Sequence, residues 1–345
     1  MSEYQYYEFV AIDRPLAPEE QATLRRYSSR ARITADSFSN EYHWGEFKGD
    51  ADAWMERYFD AHLYVASGDQ RQLQLRLPAS SLPPERLSAY ADQEDHSSPF
   101  FARQVGSHCI LSWNFAATSW DDCDAEEMEF EHHLSTLLAL RNELLGGDDR
   151  ALYLGWLARA YHEALPETAL EPSLPSGLEK LSPAQQLLVD FLGLSPDWLQ
   201  AATNHQSSAP DSDGSNCPNC PIAPSPPRSV EQLEALAAIH WEIRQSEERR
   251  QAAARATRLV AEQQALRRRL AENPEAAWQE VESILQIRSG RSYDLAAQKI
   301  HELAIALQEA GQAAEQAQGL DQFLARHQHR RALIQRLHAR NLIKG

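Results

Sequence analysis

The segment SSAPDSDGSNCPNCPIAPSPPRS, Ser207 to Ser229, constrains this chain more than any other. It is dense in Pro, Ser and Asp, and Ile222 is its one large aliphatic residue. Such a stretch buries too little apolar area to offset the entropy of ordering it. It reads as a linker, which leaves two modules, residues 1–206 and 230–345. Charge divides at the same place: residues 1–228 hold 16 Lys+Arg against 35 Asp+Glu, whereas residues 229–345 hold 17 against 15. The first module is strongly acidic and the second is nearly balanced. Length agrees, since 345 residues leave room for two or three domains at roughly 100–200 residues each.

With 43% hydrophobic and 24% charged residues, the chain is neither fully disordered nor fibrous. A net charge of −17 repels phosphate backbones and anionic lipid, so nucleic acid is a poor default partner. No apolar run approaches the roughly 18 residues of a membrane helix. The start, MSEYQYYEFVAID, lacks the basic-then-apolar order of a signal peptide. These features predict a soluble, cytoplasmic protein with no membrane partner. Cysteines at 109, 123, 217 and 220 are too sparse for a disulfide framework.

The first module predicts an α+β fold, a mixed or antiparallel sheet over about 1–117 with helices on one face, followed by helices over about 133–203. Strand signals are the aromatic and β-branched Tyr4 to Asp13, Ser37 to Trp44, His62 to Ala66, the alternating Leu73, Leu75 and Leu77, and His108 to Phe115. Helix signals intervene at Pro18-Glu19-Glu20, at Asp50 to Ala61 with Asp50 as N-cap, and at Pro83 to Ala91. After residue 133 the apolar spacing is three and four throughout. Ser182 and Ser195, each followed by proline, are suitable N-caps.

The second module predicts an all-α fold. Residues 230–272 contain no Gly or Pro, and one continuous helix would extend on the order of 60 Å. Its middle, EERRQAAARATR, offers only alanines as a face, so the helix needs a partner or another helix. Asn273-Pro274 breaks it. Trp278, Val281 and Leu285, a Ser289-Gly290 turn, then Tyr293, Ala297, Ile300 and Leu307 predict a helical hairpin, and a last helix follows from Leu320.

YEFVAIDRPL, FSNEYHWGEFKGD, ERYFDAHLYVA, RALYLGWL and EPSLPSGLEKLSPAQQLLVDFLG resemble a bacterial family of hypothetical proteins. AWQEVESILQIRSGRSYDLAAQKIHELA and FLARHQHRRALIQRL resemble that family's closing module, which is similar to the one ending some SWIM-type zinc-finger proteins. The resemblance implies no activity. Arg331 stands where the pattern has proline and Asn341 where it has glycine, which implies a less sharply capped final turn.

Cys217-Pro-Asn-Cys220 has the spacing of half a zinc knuckle, because the turn points both sulfurs at one ion. The second pair is missing, so zinc is the one cofactor to weigh and an inert linker pair is the simpler reading. Ser119 to His133 gathers Asp121, Asp122, Asp124, Glu126, Glu127, Glu129 and Glu131 with His132 and His133; it reads as a solvated acidic run, with a divalent-metal site as the alternative. No nucleophile elbow, phosphate loop or dinucleotide fingerprint occurs. The tail from Asp321 carries six Lys+Arg and one acid.

The leading expectation is therefore a non-enzymatic interaction or adaptor protein that docks another protein, or a second copy, through residues 230–345. Leu233, Leu236, Ile243, Leu259, Leu266 and Leu270 are the candidate docking stripe of a coiled-coil type, with Arg330, Arg331 and Arg336 as basic docking residues. The alternatives are an accessory subunit of a nucleic-acid-processing or phage-defence system, carried by the tail, and a metal-dependent hydrolase built on the acidic run.

Overall fold

The computed structural model describes residues 4–43, 45, 47–67, 70–116, 133–204, 226–287 and 289–343. Residues 205–225, where the sequence predicts the linker with Cys217 and Cys220, and the acidic run 119–132 lie outside the described residues. Two compact units emerge, Met1–Ile243 and Arg244–Gly345.

The first unit is built on strands β1 (Tyr4–Val10), β2 (Arg32–Ile33), β3 (Ser37–His43), β4 (Ala61–Ala66), β5 (Gln70–Pro78), β6 (Phe100–Val105) and β7 (His108–Ala116). They form one seven-stranded sheet in the order β2-β3-β1-β4-β5-β7-β6, with every pairing antiparallel. Its helices are α1 (Pro18–Arg25), α2 (Ala51–Arg57), α3 (Pro84–Leu87), α4 (Leu134–Leu137), α5 (Ala139–Leu145), α6 (Arg150–Tyr161), α7 (Pro183–Phe191) and α8 (Pro196–Thr203). The α+β fold with a helical C-terminal region is as the sequence predicts.

The helices cover both faces of the sheet rather than one. Phe9, Phe38 and Ile110 pack with Leu24 of α1 and Trp54 and Met55 of α2, while Leu63, Leu73, Leu75, Leu111 and Trp113 pack with α4 to α7. The cause is local: β1 and β7 carry apolar or aromatic side chains at consecutive positions, as in Tyr6-Tyr7 and Cys109-Ile110-Leu111, and such strands need cover on both sides. Edge strands β2 and β6 escape the sequence reading. β2 has two residues, and in β6 Arg103 interrupts the apolar signal because it faces Asp52 and Glu56 of α2.

The caps follow the residues. Asp50 accepts from the Ala53 N–H at 3.0 Å, Ser182 and Gln185 form a reciprocal capping box, and Ser195 accepts from the Asp197 N–H. A buried ion pair joins elements that are far apart in sequence. Asp60 is fully buried; its Oδ2 accepts the N–H groups of Ile12 (2.6 Å) and Asp13 (2.9 Å), and its Oδ1 accepts from Arg76 Nε (2.9 Å) and Nη2 (2.6 Å). Arg76 also donates to the Met55 and Glu56 carbonyls at the end of α2. From the other side Arg141 of α5 donates to the Arg76 carbonyl and pairs with Asp13. Burial works against the Asp60 carboxylate, but the two N–H donors and Arg76 hold it below the usual range.

Helix α9 (Val230–Glu272) starts in the first unit. Ser229 and Gln232 cap it reciprocally, and Val230 and Leu233 join the sheet's core. The residues before it are anchored too: Glu171 N–H donates to the Arg228 carbonyl, and the Arg228 guanidinium pairs with the buried Glu171 carboxylate and donates to the Ala201 and Ala202 carbonyls. The division between units thus falls at 243/244, inside the helix, rather than at residue 230.

The second unit adds α10 (Pro274–Ile284), α11 (Gly290–Glu309), α12 (Ala313–His327) and α13 (Arg331–Ala339). Val281, Leu285, Ala297, Ile300, Phe323, Leu333 and Leu337 form its core. Asn273 and Ser289 cap α10 and α11, as their positions suggest. The final turn is well capped: Asn341 takes φ +56°, and the N–H groups of Asn341 and Leu342 reach the His338 and Leu337 carbonyls, the paired bonds of a Schellman motif. Asn fits this position because its short polar side chain tolerates the left-handed region.

Two outcomes test this architecture. Asp60→Ala leaves Arg76 buried without its counter-charge and is expected to destabilise the protein by about 3–5 kcal/mol in denaturant unfolding. At Gly155, where α6 lies against β6, an added Cβ would fall 2.5 Å from the Phe100 ring in the core. Gly155→Ala is expected to cost about 1–3 kcal/mol and to lower the melting temperature even though alanine favours helix.

Candidate docking surface and the buried polar groups of the sheet

The most exposed regular element is the middle of α9. Its sequence favours helix strongly: alanine, glutamine, glutamate and arginine predominate, and no glycine or proline interrupts it. Ion pairs Arg244–Glu248 and Arg258–Glu262, four residues apart, support the exposed turns. Every residue from 246 to 266 is exposed. Among them Leu259 is 59%, Val260 53% and Leu266 46% accessible, which is unusual for large aliphatics on one short stretch.

The predicted stripe divides into three parts. Leu233 is fully buried in the first unit's core and Leu236 is half-buried, so Leu233 is not a docking residue; its apolar spacing serves the sheet. Leu270 is half-buried beside Ala271, Ala277, Leu303 and Leu307 in the second unit. Ile243, Leu259 and Leu266 are exposed. Ala252, Ala256, Leu259, Gln263, Leu266 and Leu270 recur at alternating steps of four and three, which on a helix makes one seam.

The basic tail has internal roles. Arg330 Nη1 donates to the Leu285 carbonyl and so caps α10, while Arg336 pairs with Asp294 at 2.5 Å and donates to the Ala332 carbonyl. Arg331 is exposed at the start of α13. His327 is buried against Phe323 and shares Glu282 with Arg326. Two of the three candidate arginines are therefore engaged within the chain, where spacing alone leaves them free for docking.

A second group of functional residue types lies on the α1/α2 face of the sheet. The register puts Phe38, Phe9, His62, Gln74 and Ser112 in one row across β3, β1, β4, β5 and β7. His62 is 1% exposed and stacks on Phe9 at 3.9 Å with ring planes 5° apart. Its Nδ1 lies 3.1 Å from the Glu8 carbonyl, which can only accept, so Nδ1 carries the hydrogen. Burial pulls its pKa down to about 4, against the opposing pull of the Glu8 carbonyl and Asp52. Gln74 donates to Asp52 Oδ1 and Ser112 Oγ. On the opposite face Arg71 lies 4.2 Å from the Phe115 ring centroid and donates to the Asp190 and Phe191 carbonyls at the end of α7.

Sequence reasoning passes over Gln74 and Arg76 because polar residues alternating with Leu73, Leu75 and Leu77 read as a solvent face. In this fold α2 covers that face. The imidazole is buried in the sheet, and through Gln74 and Asp52 the row joins β5 to α2. Among the described residues no group of three or more His, Cys, Asp or Glu converges as a metal site, and no helix is long and apolar enough to cross a membrane.

His62 makes a pH dependence measurable. Folded His62 stays neutral down to about pH 4, while in the unfolded chain it titrates near the ordinary imidazole value of 6.5. The unfolded state therefore binds the extra proton between those values, and stability should fall as the pH drops from 6.5 to 4, by about 3 kcal/mol in total from this group. Denaturant titrations across that window should show the loss in the wild type, and His62→Gln should remove this component.

Set against protein-family models, curated proteins and solved structures, the chain gives no match.

Proposed function

We propose that this protein is a non-enzymatic docking protein that binds another protein chain along the exposed middle of α9. The observation that supports this reading is that every residue from 246 to 266 is exposed while Leu259, Val260 and Leu266 lie within that stretch. The exposed turns have high helix propensity and i,i+4 ion pairs, and Leu259, Val260 and Leu266 are not core residues of either unit. Docking would give them a role: covering the exposed half of one such side chain contributes roughly 1 kcal/mol, and three of them with the surrounding alanines support measurable association.

The test uses the full chain in its source cell. A photo-crosslinking residue at Gln263, on the seam, should form an adduct with a defined protein, and the same residue at Arg250, on the far side of the helix, should not. Leu266→Asp should reduce the Gln263 adduct at least tenfold, which corresponds to about 1.4 kcal/mol of binding, with the melting temperature unchanged. Equal adducts from both positions, or none from Gln263, would sink the docking reading.

A further inference from the structure

The arginines on α9 specify what kind of chain the seam takes. Residues 249–269 carry Arg249, Arg250, Arg255, Arg258, Arg267, Arg268 and Arg269 against the single acid Glu262. At 100° per residue Arg249 and Arg267 lie along one edge of the seam, and Arg255 and Arg269 along the other. Arg267 already pairs with Glu309, and Arg258 with Glu262, whereas Arg249, Arg255 and Arg269 are exposed. Glu262 lies on the edge of Arg255 and Arg269, where Arg258 pairs with it, and Glu309 pairs with Arg267 on the other edge. Each border thus keeps a net positive charge, from Arg249 on one side and from Arg255 and Arg269 on the other, in a chain whose total charge is −17.

The seam itself selects a helix. Ala252 and Ala256 let a second backbone come close, Leu259 and Leu266 are the knobs, and Gln263 is a polar seam residue of the type that fixes register. Its steps of four and three match another helix with the same repeat. A lipid surface would want a broad apolar face, and here two alanines and a glutamine occupy half the strip. A nucleic acid would use the arginines and leave Leu259, Val260 and Leu266 without a role. A second copy would bring positive borders against positive borders.

Resting on the docking reading above, we infer that α9 binds an acidic amphipathic helix of another protein, one with apolar residues at three-and-four spacing flanked by Glu or Asp. The complementary charges select the partner and fix its register, and the aliphatic seam holds it.

The experiment titrates the full-length protein against a fluorescent synthetic helix of four heptads with Leu at both seam positions and Glu on both borders. A Lys-bordered peptide of the same length serves as control. Glutamate borders keep the probe from pairing with itself. The acidic helix should bind at least tenfold more tightly than the basic one, and Arg255→Glu with Arg269→Glu should reverse that order. Leu259→Asp should abolish binding of either peptide, and the affinity for the acidic helix should fall as salt rises. Equal binding of the two peptides, a dimer through the seam by sedimentation, or tighter binding of duplex DNA than of the acidic helix would each overturn the inference. Crosslinking at Gln263 separates the two levels: a persistent protein adduct with no preference for the acidic peptide removes only the partner assignment, and loss of both removes the docking reading.

Discussion

The buried contact between Asp60 and Arg76 is the interaction on which the sheet unit depends. Each charge would be costly to remove from water alone. Here the carboxylate has two backbone N–H donors and a guanidinium, and the guanidinium also reaches the last carbonyls of α2. Because Arg141 closes on the Arg76 backbone and on Asp13, one cluster ties the end of β1, the end of α2, the start of β4, the middle of β5 and helix α5. Layers on the two faces of the sheet are joined through it.

The same logic recurs where the chain leaves the sheet unit. Glu171 is buried with Tyr153 and Arg228 as partners, and this fixes the backbone just ahead of α9 in an antiparallel bridge between Leu170 and Ser229. The first turns of α9 are then held by Val230 and Leu233 in the core. Further along the helix the source of stability changes from packing to propensity and i,i+4 ion pairs, which need no tertiary neighbour. Apolar residues in that second regime, Leu259, Val260 and Leu266, are left in solvent.

Much of the fold is legible in the residues. Asp50, Ser182, Ser195, Asn273 and Ser289 mark helix starts because a side-chain acceptor next to orphan N–H groups is a local device. The main strands are legible from β-branched and aromatic runs, and α10 and α11 from a sustained three-and-four stripe. The short β2 and the Arg103-containing β6 are not, since an edge strand is defined by the neighbour it pairs with. Of the predicted stripe, Ile243, Leu259 and Leu266 are exposed and Leu233 is core, although spacing does not distinguish Leu233 from the others. Arg330 and Arg336 look like a free basic tail until Leu285 and Asp294 are seen beside them.

What the sequence alone determines here is therefore local: which segments are helix or strand, where they begin, the acidic first half and the nearly balanced second, and an uninterrupted helix from Val230 to Glu272. Periodicity and capping act within a turn or two, so they are written in neighbouring residues. Which side of an element is covered is set by partners remote in the chain. Only the tertiary structure decided that α2 would bury the polar row of β5, that His62 would be sealed on Phe9, and that Leu233 would be core while Leu266 stays in solvent. Burial is a property of the packed whole, and a side chain's hydrophobicity states only the free energy available if something covers it.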